Sequence, residues 1–297
     1  VENILQIQLK TLTPLWTGDI DRRSNEIQET AIVGSIRWWY ESLVRGLGGF
    51  ACDPTSNDSC IFDEEAYSQT NSLEAGLKDV CPVCRVFGCT GYSSKFRLLI
   101  TDSQGNAKQT RLSRRGGEQF QLQFVFVRPL RAEELWLWQK TLTLIDKWGS
   151  IGGQTTKKPP KMPDFGLVKI SSLPELPAGL DRNAVEAYLN QIITQSENIR
   201  NRLTQTPKEY PRLDHFFFKS GYWINQQQIN DLLKIDPTGF LAGRRGISKK
   251  VFSFRERGAA RIWGYTTDDA MLTVVLKKLN DLGVRGTKTG KEVLHGL

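Results

Sequence analysis

All five cysteines of the chain fall between Cys52 and Cys89, a clustering that suits a metal site better than a disulfide framework. Cys52 and Cys60 make a loose pair, and Cys81-Pro-Val-Cys84 a tight one. A Cys-x2-Cys step lets two thiolates face one ion from a single turn, and a second pair closes a tetrahedral shell around zinc. Four sulfurs with no open position would make that site structural. Cys89 is a fifth candidate able to replace one of the four, and buried free thiols are the plain alternative. A redox reading of Cys81 and Cys84 lacks a thioredoxin-like setting.

Two glycine-bearing stretches have the chemistry to meet a phosphate. Thr30-Ala-Ile-Val-Gly-Ser-Ile-Arg-Trp-Trp places Gly34 and Ser35 early in a helix, where free backbone N–H groups and the helix dipole favour an anion, with Arg37 beside them. Gly149-Ser-Ile-Gly-Gly-Gln-Thr-Thr-Lys-Lys follows another helix. Its Gly152 and Gly153 permit close backbone approach, Gln154 and Thr155 offer hydrogen bonds, and Lys157 and Lys158 add charge. The Gly-Lys-Ser/Thr order of a nucleotide-triphosphate loop is missing, which excludes an ATPase of that kind. His215 and His295 are the two histidines, and no spacing pairs either with a nucleophile. Asp19, Asp21 and Glu26 read as solvated loop acids.

The elements that position these groups follow from periodicity. Ile4 to Leu12 alternates as a half-buried strand, and Ile32, Ile36, Trp39 and Leu43 recur at helical spacing until Gly46, Gly48 and Gly49. Trp39 belongs to the core stripe, while Trp38 is open to either role. Phe96 to Thr101 and Gln119 to Leu130 read as strands, Arg131 to Trp148 as an amphipathic helix, and Phe165 to Ser171 as a further strand. Strands mixed with two helical crossovers and one antiparallel pair predict a split β-α-β, ferredoxin-like unit in an α+β protein. Beyond a linker at Pro174 and Pro177, the spacing predicts helices over 183–203, 226–233 and 270–282, and strands over 213–219 and 259–265. A second, degenerate unit of the same kind is the expectation there.

The 297 residues carry 40 Lys+Arg against 32 Asp+Glu, a net charge of +8, which favours a polyanionic partner. The surplus sits in two tracts: seven basic residues against one acid from Arg85 to Arg115, and twelve against five from Thr238 onward. The first tract contributes Lys95 and Arg97, and the helix contributes Arg45, as further candidate cations. No apolar run reaches the roughly 18 residues of a membrane span, and the first ten residues lack a signal-peptide layout, so the expectation is a cytoplasmic protein.

Leu12-Thr-Pro-Leu-Trp-Thr-Gly18, Ala31-Ile-Val-Gly-Ser-Ile-Arg-Trp-Trp-Tyr-Glu41, Cys81-Pro-Val-Cys-Arg-Val-Phe-Gly-Cys-Thr-Gly91 and Gly149-Ser-Ile-Gly-Gly-Gln-Thr155 together resemble the RAMP superfamily of CRISPR-associated proteins. Within it the likeness is greatest to the first Cmr subunit of type III-B effector complexes. The resemblance implies two ferredoxin-like units, residues 1–172 with a zinc-binding insertion at about 50–92 and residues 173–297. It also implies a non-catalytic subunit near one end of an antiviral ribonucleoprotein, beside other Cmr subunits, and the expectation is that it holds the CRISPR RNA 3′ region and target RNA through backbone contacts. Gly34 to Arg37 and Gly149 to Lys158 fall where RAMP proteins contact RNA. Pro159, Pro160 and Pro163 depart from the family's usual run into Gly-Phe-Gly. The rival function is a RAMP-type, metal-independent endoribonuclease that processes repeat RNA, with His215 or His295 as its base.

Overall fold

The computed structural model describes residues 4–18, 24, 26–102, 104–106, 116–155, 164–244 and 247–297. In the first half, β1 (Ile4–Thr11), β2 (Phe96–Thr101), β3 (Gln119–Phe126) and β4 (Val168–Ser171) form an antiparallel sheet in the order β2-β3-β1-β4. Its connections are α1 (Glu29–Gly46) and α5 (Ala132–Lys147). Alternation sets the register: Ile7 faces Leu122 and Leu9 faces Phe120 across the ladder, all four buried. Gln6, Lys10, Arg97 and Lys169 fall on the other, exposed face.

Between α1 and β2 an insertion carries three short helices, α2 (Glu64–Thr70), α3 (Leu73–Gly76) and α4 (Pro82–Phe87). Helix α2 buries none of its residues. Helices of four to seven residues do not hold themselves in water, so this segment depends on tertiary contacts: all six residues of α4 are buried, and Val80, Val83 and Val86 join the core.

The second half repeats the arrangement. Strands β5 (Phe216–Ser220), β6 (Val251–Phe254), β7 (Arg261–Tyr265) and β8 (Lys288–Thr289) pair antiparallel in the order β6-β7-β5-β8, with α8 (Gln226–Leu233) and α9 (Asp269–Asp281) as the crossovers. Helix α10 (Gly290–His295) follows. Two of these strands escaped the sequence reading. Val251-Phe-Ser-Phe254 is a four-residue run buried throughout, which periodicity cannot tell from a helix segment, and β8 has only two residues. The helix expected over 183–203 is two, α6 (Arg182–Gln195) and α7 (Glu197–Thr204). Ser196 between them is extended, and its hydroxyl accepts the Ile199 N–H at 3.0 Å, starting the second helix afresh.

The halves share one core because α1 is buried on two sides. Every residue from Trp39 to Arg45 is buried. One side meets the first sheet, and the other brings Trp38 and Trp39 against Phe216 and Trp263 of the second sheet, at centroid distances of 5.0–6.0 Å. Phe216, Phe217 and Phe218 are all fully buried. Phe216 and Phe218 belong to the shared core, whereas Phe217 joins a separate cluster with Ile229, Leu272 and Val275 of α8 and α9. No helix among the described residues is long and apolar enough to cross a membrane.

Candidate nucleic-acid interface and metal centre

Cys52, Cys60, Cys81 and Cys84 are all buried, and their four sulfurs lie within 4.8 Å of one another. Cys52 Sγ stands 3.4 Å from Cys84 Sγ and 3.9 Å from Cys81 Sγ. A tetrahedral ion with metal–sulfur bonds of about 2.3 Å sets its ligands roughly 3.8 Å apart, so these sulfurs could hold a metal ion. Cys81 caps α4, and Pro82 opens the turn that brings Cys84 round. Cys89, partly buried, is not one of the four.

Cations answer the charge that four thiolates would carry. Arg37 Nη2 donates to Cys84 Sγ at 3.2 Å and Nη1 to the Gly88 carbonyl at 3.3 Å, while Nε pairs with Glu41 at 2.8 Å. Burial works against the Arg37 charge, but the Cys84 sulfur and Glu41 carboxylate outweigh it and hold the guanidinium above its ordinary range. Arg202 approaches Cys60 Sγ at 3.9 Å. Arg37→Met is expected to lower metal affinity by about 10- to 100-fold, the range for losing an outer hydrogen bond to a ligand, as read by competition with a chromophoric chelator. Unchanged affinity would remove Arg37 from the site.

The two glycine-bearing stretches meet in space. Gly34 and Ser35 line one cleft of about 660 Å³ together with Gly152, Gly153, Gln154 and Thr155. Trp16, Thr17 and Gly18 complete that side, and the second half supplies Lys249, Lys250, Phe252, Trp263 and Tyr265. No described lining residue is acidic. Burial holds the Lys250 ammonium below the usual lysine range. Gln154 takes φ +57°, a left-handed conformation that non-glycine residues adopt at a cost and that concentrates at functional sites.

The amides in the cleft are not free as the sequence led one to expect. Helix α1 starts at Glu29, so Gly34 and Ser35 lie past the four unpaired N–H groups of the first turn. The Gly152 N–H donates to Ser35 Oγ at 2.9 Å and the Gly153 N–H to the Trp16 carbonyl at 2.7 Å. These glycines make room instead. A Cβ on Gly153 would lie 2.5 Å from the Trp16 ring, and one on Gly152, at φ +78°, 2.7 Å from the Trp16 oxygen.

Three of the predicted cations do not line the cleft. Arg37 turns to the sulfurs. Arg45 is 4% exposed, and its guanidinium is spent on the carbonyls of Ala51, Cys52 and Pro211. Lys95 is 9% exposed, with its ammonium 2.7 Å from the Glu134 carboxylate. Arg85 of the same basic tract is buried against the Val80 and Leu77 carbonyls, whereas Arg97 stays exposed on the sheet face. Lys157 and Lys158, Asp19 and Asp21, and the rest of the tract from Lys108 to Arg115 lie outside the described residues. The sequence reading missed Trp16, Lys249, Lys250, Phe252, Trp263 and Tyr265; the basic excess after Thr238 was the available signal for the lysines. Neither histidine lines the cleft: His215 Nε2 stands 3.9 Å from Asp214, and His295 is exposed at the end of α10.

The chain aligns over 94% of its length with 99% of a chain in a cryo-EM structure of the type III-B Cmr-beta complex bound to cognate target RNA, at 12% identity and a TM-score of 0.47. Over 63% of its length it aligns with 98% of a chain in a type IV-B CRISPR complex, at 15% identity and a TM-score of 0.43. No curated protein sequence matches it. The RAMP superfamily model matches residues 8–157, half of the chain, taking in Gly34 and Ser35, Gly149 to Thr155 and all the cysteines: the chain belongs to the RAMP superfamily.

Proposed function

We propose that the chain is a non-catalytic RNA-binding subunit of a CRISPR ribonucleoprotein of the type III-B, Cmr kind, working beside other Cmr subunits on CRISPR RNA and target RNA. The observation that carries this is the cleft, where two stretches 117 residues apart in sequence join lysines and aromatic rings from the second half. A described lining without acids, built of cations and rings, suits a nucleic-acid strand. No histidine or carboxylate is among the described lining residues, so that lining offers no general base for strand cleavage. The insertion is an unsuitable surface for RNA, because residues 52–79 carry seven acids against Lys78.

The repeated β-α-β-β-α-β connectivity supports two ferredoxin-like units. Zinc is the metal we assign to Cys52, Cys60, Cys81 and Cys84, since a closed, buried set of four thiolates is the donor set of structural zinc.

Replacing Lys249 and Lys250 together by alanine is expected to weaken binding of single-stranded RNA for all sequences alike. The slope of log affinity against log salt should flatten by about 1.4, at roughly 0.7 per phosphate contact on a single strand. Fluorescence anisotropy across a salt series reads both numbers, and an unaltered slope would take the strand out of this cleft.

A further inference from the structure

On the strength of that RNA reading, we infer that the cleft is a base pocket: it takes one unstacked nucleobase of a single strand among its aromatic rings, with the two adjoining phosphates at Lys249 and Lys250. Recognition through the sugar-phosphate chain alone would need donors in sequence along a groove. Here the Gly152 and Gly153 amides are already taken by Ser35 and Trp16, and the lysines among the described lining residues are two neighbours in the chain. Ring surface is what the cleft has in excess, with six aromatic residues in its lining. Trp39, Trp263 and Tyr265 are buried, whereas Trp16 and Trp38 are only partly so.

Both of these open rings are held in place. Trp16 is seated against Gly18 and Gly153, where any larger residue would strike its ring. Trp38 meets Trp39 edge-on at 5.0 Å and Tyr265 at 5.9 Å. Phe252 and Trp263 stack at 3.6 Å with 8° between their planes, so one wall already presents parallel rings. The indole N–H of Trp263 is buried and has no partner among the described residues. A room of about 660 Å³ lies within the roughly 300–1,000 Å³ of small-ligand sites and accommodates one nucleotide, not a duplex. Every base has a π-face, so such a pocket holds a strand without reading its letters.

The test compares a short single-stranded RNA of mixed sequence with the same strand made abasic, both binding the full chain at one salt concentration. The intact strand should bind about tenfold more tightly, the size expected for stacking one base, with equal salt slopes for the two. It should also quench tryptophan fluorescence where the abasic strand does not. Trp38→Ala should abolish most of the difference and Trp38→Phe retain it. Equal affinities for the two wild-type titrations would overturn the base pocket and leave the RNA reading standing. Failure of both strands to bind would overturn that reading as well. A free nucleoside monophosphate binding as tightly as the strand would also overturn the inference, by making this a mononucleotide site.

Discussion

Stripping the metal from Cys52, Cys60, Cys81 and Cys84 should cost the protein about 4 kcal/mol or more, and at roughly 2–4 °C per kcal/mol lower its Tm by about 10 °C. Small zinc modules draw on the order of 10 kcal/mol from their ion, and this insertion resembles them in having short helices and little core of its own. Part of that is recovered here because Val80, Val83 and Val86 join the main core. Thermal melts with and without a strong chelator, with metal content measured alongside, check the value. Cys84→Ser should reproduce the loss and Cys89→Ser should not. The pH dependence has a definite sign: thiolate ligands compete with protons, so the stabilisation is present at neutral pH and falls as acid displaces the ion. A Tm unmoved in protein shown to be metal-free would refute a structural role.

Lys95→Met is expected to destabilise the fold by about 3–5 kcal/mol while leaving RNA affinity unchanged, because it strands the Glu134 carboxylate. That carboxylate is 1% exposed and accepts from Lys95 Nζ at 2.7 and 3.0 Å, from the Arg131 N–H at 2.8 Å and from Tyr188 OH at 3.4 Å. Glu134 also completes the capping box of α5, so the informative double variant is Lys95→Met with Glu134→Gln, which keeps an acceptor and removes the charge. Urea denaturation should show the double variant recovering much of the single variant's loss. A loss of RNA binding in folded Lys95→Met protein would instead return this lysine to the interface.

Lys95 shows why the sequence identified basic tracts better than basic surfaces. A lysine reads the same whether its partner is a phosphate or a glutamate 39 positions away, and only folding brought Glu134 to it. Arg45 and Arg85 misled in the same way, since carbonyls that accept from arginine leave no mark on composition. The helix of Gly34 and Ser35 was placed correctly, but both residues lie beyond its first turn, where the amides are already bonded within the helix.

The cysteine spacing, the strand and helix periods of the first half and the excess of positive charge were settled by local chemistry alone. Thiols a turn apart can face one ion, and a face of apolar residues must be buried whatever lies opposite. Tertiary structure alone decided which cations stay in water, which amides remain free, and that Trp16, Trp38 and Lys250 border one cleft. Those are matters of distance between segments far apart in sequence, and they exist only once α1 has been packed between two sheets.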